Sequence, residues 1–142
     1  MLVRLLYASR AAQPYSAEVL DSILAQSHKH NPERGLTGIL CYSGDIFIQV
    51  LEGGRAEVSS LYNSIVRDPR HQDVELLHFE EIRERRFANW TMGQVNLAKV
   101  NPSLLLRFSE KPQLDPFSVR GSASMALLEE LIATAAIVGR CH

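Results

Sequence analysis

Two apolar runs, residues 36–42 and 46–52, flank Ser43-Gly44-Asp45, a turn-forming triplet of the length that joins neighbouring antiparallel strands. This hairpin constrains everything around it. Residues 2–9, rich in Val, Leu and Tyr and ending at Ser9-Arg10, read as a strand of ordinary length. Between that strand and the hairpin, Ser16 is a suitable N-cap, Glu18 suits a first turn, and Val19, Leu20, Ile23, Leu24 and Ser27 recur on one helical face. The spacing predicts a helix that stops near His30, because the residue before Pro32 disfavours helical geometry. After the hairpin, Val58, Leu61, Tyr62, Ile65 and Val66 repeat at helical spacing over 56–67, and Asp68-Pro69 ends the run. Residues 74–82 and 91–97 predict two more strands, separated by a basic, loop-like segment at 83–89.

The order strand, helix, strand, strand, helix, strand, strand predicts an α+β fold. It is a ferredoxin-like sheet of about five strands with two helices on one face. Pro112, Pro116 and Gly121 mark a connection before residues 122–138, where Met125, Leu128, Leu131, Ile132 and Ala135 predict a last, apolar helix. Val3 or Leu5 alternates with Leu6 along the first strand, so both sheet faces are apolar. The C-terminal helical part is therefore expected on the face that the first two helices leave open, near Trp90 and Met92.

Composition narrows the function classes. The chain has 142 residues, enough for one self-supporting core, and a formal charge of -1, so no global field draws it to nucleic acid or an anionic membrane. Cys41 and Cys141 lie far apart and fit reduced thiols better than a disulfide framework. The start Met1-Leu2-Val3-Arg4 lacks a basic signal region, and no apolar stretch reaches the roughly 18–20 residues that span a bilayer. A cytoplasmic location is expected. There is no Gly-rich phosphate loop, nucleophile elbow or two-histidine helical metal motif, so an enzyme is not expected. His28 and His30 are two apart and diverge on a helix, whereas His71 and His78 fall in a turn and a strand without ligand spacing.

Gln49 is the informative polar residue. It lies in Ile46-Phe47-Ile48-Gln49-Val50-Leu51, where alternation cannot push it to solvent without exposing Phe47 and Leu51. A buried primary amide needs partners for one carbonyl and two N–H groups, and leaving it unpaired costs on the order of 1–3 kcal/mol. Tyr7 raises the same question in the first strand, where a phenol tip suits a sheet face that holds a polar planar ligand. A mutual hydrogen bond of purely structural role is the competing explanation for both.

Five spaced segments carry a resemblance: Tyr7 in Leu5-Leu6-Tyr7-Ala8-Ser9, Asn31 in Asn31-Pro32-Glu33-Arg34-Gly35-Leu36-Thr37-Gly38, Gln49 in Phe47-Ile48-Gln49-Val50-Leu51-Glu52-Gly53, Asp68-Pro69-Arg70-His71, and Phe87-Ala88-Asn89-Trp90-Thr91-Met92-Gly93. Together they resemble the BLUF family of flavin-binding blue-light receptors. The likeness divides the chain into a flavin-binding domain at 1–97 and a C-terminal helical extension at 98–142. It implies FAD held non-covalently between the two helices, with its ring near Tyr7, Asn31 and Gln49. Ile23 and Ile65 resemble positions that sandwich the ring, and His71 resembles one beside it; ordinary packing is the alternative for the isoleucines. Arg70 and Lys29 would face the phosphates, unless they make exposed salt bridges instead.

The implied chemistry is light-driven transfer of an electron and a proton from Tyr7, which leaves Gln49 in another rotamer or amide tautomer. Trp90 and Met92, two apart, are expected to share a face of the last strand and carry the change outward, with core packing as the alternative. The implied output is a separate protein, such as a response regulator or a cyclic-nucleotide enzyme, with a homo-oligomeric receptor. Two other classes stay open on residues alone. One is an acylphosphatase-like enzyme using Arg10 and Asn31, although the loop after Ser9 lacks anion-wrapping glycines; the other is a chromophore-free interaction module.

Overall fold

The computed structural model describes residues 1–12, 17–134 and 137–139; the expected cap Ser16, the side chain of Val19, Ala135 and Cys141 fall outside them. Chain order is β1 (Leu2–Ala11), α1 (Ala17–Arg34), β2 (Thr37–Ser43), β3 (Ile46–Gly54), α2 (Arg55–Arg67), β4 (His71–Ile82) and β5 (Gly93–Asn96). A 3-10 turn (Leu97–Lys99), α3 (Pro102–Leu106) and α4 (Gly121–Ile132) complete it. The sheet runs β4-β1-β3-β2-β5, antiparallel throughout except where β2 meets β5. This is the α+β, five-stranded arrangement expected from the element order.

Alternation along the central strands sends side chains to two cores. Val3, Leu5, Tyr7, Phe47 and Leu51 join Leu20, Ile23, Val58 and Ile65 under α1 and α2. Leu6, Ile39, Ile48, Val50 and Val95 join Leu105, Met125, Leu128 and Leu131 of the C-terminal helices. The open face is covered as its apolar pattern required. No helix among the described residues is long and apolar enough to cross a membrane.

Several boundaries differ from expectation. Helix α1 does not stop near His30 but continues through Asn31-Pro32 to Arg34. Pro32 sits in the last turn, and the helix ends in a Schellman motif: Gly35 has φ 67°, its N–H donates to Pro32 O at 3.3 Å, and Leu36 N–H donates to Asn31 O at 3.0 Å. The stop signal was Gly35, a residue that takes left-handed backbone at no Cβ cost. Strand β4 starts at His71, not at residue 74, because pairing to β1 continues as far as Ala11↔His71. Strand β5 is shorter than 91–97, and α4 ends at Ile132 instead of reaching 138.

Trp90 and Met92 do not share a face: Met92 lies in the α1/α2 core and Trp90 in the core beneath α4. Two-residue alternation holds only in extended strand, and both residues precede β5. Their segment is held instead by its carbonyls. Gly38 N–H donates to Trp90 O at 2.9 Å, Asn31 Nδ2 to Thr91 O at 3.3 Å, and His28 Nε2 to Met92 O at 3.1 Å. A carbonyl can only accept, so His28 carries its hydrogen on Nε2. The tail helix thus packs near Trp90 but not near Met92.

The C-terminal face also holds a buried ion pair. Glu52, fully buried, accepts from Arg4 Nε at 2.8 Å and from the backbone N–H groups of Arg86 and Phe87 at 3.1 and 2.7 Å. Arg4 pairs with Glu80 as well. Burial would raise the Glu80 carboxyl, but hydrogen bonds and charge from Arg4 and His78 outweigh it and hold the group below its ordinary value. Glu52→Ala should destabilise the chain by about 3–5 kcal/mol, since it removes the buried partner of the Arg4 guanidinium and leaves two backbone donors unpaired. Urea unfolding measures this, and Glu52→Gln, which keeps an acceptor, should cost less.

Candidate functional site

The β1–β3 register sets Tyr7 directly opposite Gln49 on the α1/α2 face. Tyr7 is 1% and Gln49 3% exposed. The Tyr7 hydroxyl donates to Gln49 Oε1, and Gln49 Nε2 donates to Met92 Sδ at 3.1 Å. A thioether is a weak acceptor and takes one of the two amide N–H groups, so the second remains for a ligand. Burial foremost, with the neighbouring Tyr62 phenol and Asp68 carboxylate adding to it, pushes the Tyr7 phenol far above its ordinary value; Arg70 opposes this.

These two residues form the floor of a cleft of about 190 Å³ between α1 and α2. Ile23, Leu61 and Ile65 supply apolar walls, and Arg70 and His71 lie at the β4 end. Ser9 Oγ lies 2.8 Å from His71 Nδ1, and the His71 ring meets Phe47 edge-on with centroids 5.6 Å apart. Burial, reinforced by Arg70 and opposed by Asp68, holds His71 below its ordinary 6.5. Burial alone would raise Asp68, but hydrogen bonds and charge from Arg70 hold it low. Arg70 also donates to Ser22 Oγ at 2.8 Å and Gln26 Oε1 at 2.7 Å, which ties the start of β4 to α1.

The cleft thus gathers Tyr7, Gln49, Ile23, Ile65, Arg70 and His71 of the expected site. It does not gather Lys29, which is exposed and off the lining face of α1, and Asn31 is buried beside the cleft with its amide on Thr91 O. Trp90 lies on the other side of the sheet. Gln26, Ser27, His30 and Arg34 line the cleft and were not expected. Their signal was present: from Ile23 they come at i+3, i+4, i+7 and i+11, one helical stripe. Lys29, at i+6, falls outside it. The Arg10 guanidinium stacks on the Phe117 ring, 4.4 Å from its centroid, instead of forming an anion site.

A family model described as sensors of blue light using FAD matches residues 2–93. The chain belongs to the BLUF family. The photoactivated adenylate cyclase subunit beta of Euglena longa is 38% identical over 92 residues, which cover 64% of this chain and 11% of that one. The blue light- and temperature-regulated antirepressor BluF of Escherichia coli is 31% identical over 97 residues, 68% of this chain and 24% of that one. This chain therefore matches only about a tenth to a quarter of the length of these curated relatives. Among solved structures, BlsA in its photo-activated state superposes with a TM-score of 0.83 at 28% identity, over 96% of this chain and 98% of that chain. BlrB, a BLUF protein in its dark state, gives 0.77 at 33%, over 93% and 95%.

The cofactor of a BLUF domain is FAD, and the cleft fits a flat, polar-edged ring. It has apolar walls, a spare amide donor at its floor, and cationic side chains from Arg34 and Arg70 on its lining. The part shared with the cyclases is this sensor, not an enzyme. Because folded His71 sits below 6.5 while the unfolded imidazole titrates there, the unfolded chain takes up a proton first as pH falls. Stability should therefore drop as pH falls through 6.5 and level off below the folded value. In His71→Gln this part of the slope should vanish, measured by urea unfolding across that range.

Proposed function

We propose that Tyr7 and Gln49 are the light-responsive switch of this BLUF domain, and that the switch signals to a separate partner protein. The observation that carries it is the buried chain Tyr7 Oη–H to Gln49 Oε1 and Gln49 Nε2–H to Met92 Sδ on the cleft floor. When bound, FAD supplies blue-light absorption and an oxidising ring. The rest is the work of side chains.

Burial makes a lone Tyr7 phenolate inaccessible, so its proton leaves Oη only toward an acceptor already in hydrogen-bond reach. Gln49 Oε1 is such an acceptor. An amide presents a donor at one end and an acceptor at the other with nearly the same shape. A half-turn of the Gln49 amide, or its tautomerisation with the Tyr7 proton, exchanges what it offers to Tyr7, to the ring and to Met92. Met92 and Thr91 are fastened to α1 through His28 and Asn31, which gives the change a route into the segment before β5. Asn31 Oδ1 is the atom left to hold the ring edge, while Arg34 and Arg70 suit the phosphates. The near full-length superposition on BlrB and BlsA supports a receptor with a C-terminal helical extension at 98–142 and an output protein acting in trans. A response regulator or a cyclic-nucleotide enzyme suits that role, with the receptor in the cytoplasm and homo-oligomeric.

Blue light should shift the flavin absorption of the FAD-loaded protein slightly to the red, reversibly in the dark. Gln49→Leu should keep the flavin and lose the shift, because the volume stays and every hydrogen bond goes. Tyr7→Phe should lose it too. A full shift in both variants would show that the relay lies elsewhere.

A further inference from the structure

The outer edge of β5 carries a segment that the light switch does not use. Gln94 N–H donates to Val138 O at 2.9 Å and Val138 N–H to Gln94 O at 3.0 Å, an isolated antiparallel bridge that lays residues 137–139 along the sheet. Gly93 shapes the seat. A Cβ there would lie 2.7 Å from Ile137 Cγ2, 2.8 Å from Trp90 Cδ1 and 3.0 Å from Ile39 Cγ2, so its absence lets Ile137 pack beside the indole. Past the bridge, the edge continues into a groove of about 340 Å³ lined by Tyr42, Gln94, Asn96, Lys99, Val100 and Val138.

Three features mark residues 137–139 as a replaceable occupant. Among the described residues their backbone meets the sheet through one bridge, Val138 is 58% exposed, and the groove extends beyond them. In addition, among the described residues Trp90 Nε1 is the buried side-chain polar atom without a hydrogen-bond partner, one bond from the Cδ1 that faces this seat. A buried donor left without an acceptor favours any occupant that brings one.

We propose that the outer edge of β5 is a strand-docking surface for a partner protein, kept covered by this chain's own residues 137–139. The partner segment is extended and antiparallel to β5, as in other cases of strand addition, where main-chain hydrogen bonds give affinity and side-chain pockets give specificity. It carries a β-branched apolar residue over Gly93, an acceptor for the Trp90 N–H, and a carboxylate toward Lys99. The proposal rests on the photoreceptor reading only in taking that partner to be the output protein.

The test uses the full FAD-loaded chain in the dark, with hydrogen exchange followed at the Gln94 amide. Val138→Pro removes the N–H that closes the bridge and touches nothing in the flavin cleft. It should speed Gln94 exchange by about tenfold or more, and a synthetic peptide of residues 134–142 added in trans should restore protection. Unchanged exchange in Val138→Pro, or a peptide that restores nothing, would overturn the proposal. If wild-type protection falls on dilution together with dissociation of a dimer, the occupant is the tail of a second copy and the partner assignment is overturned. The red shift is recorded on the same samples: its absence would sink the photoreceptor reading, while the rescue at Gln94 would still support the docking surface.

Discussion

Strands β1 and β3 pair in one antiparallel register, and that register places Tyr7 against Gln49 and Arg4 against Glu52. The two pairs are three residues apart along each strand, so they lie on opposite faces of the sheet. A slip of one residue would break both pairs and turn every apolar side chain of the central strands the wrong way. The cleft floor and the buried ion pair are therefore locked by the same hydrogen-bond ladder. Neither can be moved without the other.

Around this ladder, the helices supply walls and the irregular segment before β5 supplies the connection. Helix α1 lines the cleft with one stripe, and its last turns reach across to the carbonyls of Thr91 and Met92. Glu52 holds the same segment from the other face through the N–H groups of Arg86 and Phe87. The stretch from 86 to 92 is thus pinned from both sides of the sheet although it belongs to no strand. Met92 contacts the Gln49 amide, and Trp90 packs toward the tail. Their separation into different cores makes this segment the crossing point between the faces.

Membership of the BLUF family rests on the match over residues 2–93, which ends where β5 begins. The helices C-terminal to that match cover the second sheet face, and in BlsA and BlrB the superposition extends over nearly the whole of both chains. The cyclases share only the sensor portion with this chain. A sensor portion attached to different remainders is what a site grafted on a fold permits.

Much of this protein was legible in its residues. Alternation in 46–52 required a buried Gln49, the Ser43-Gly44-Asp45 turn required the hairpin, and two apolar faces of β1 required a cover for each, because period and burial are local properties of the chain. The stripe of α1 that lines the cleft was also present, in the i+3 and i+4 positions after Ile23. The features that the residues alone did not settle depend on contacts between distant segments. The start of β4 at His71 depends on pairing with β1, whereas the end of α1 is set by a local signal, Gly35, that outweighs Pro32. Lys29 lies off the cleft by helical phase, and Asn31 sits beside it with its amide N–H on the Thr91 carbonyl. Trp90 and Met92 were assigned to one face by an alternation that irregular backbone does not obey. The sequence alone determined which residues must be buried and which were polar among them; tertiary structure decided who their partners are, because hydrogen bonds across 40 or more residues exist only once the sheet has closed its register.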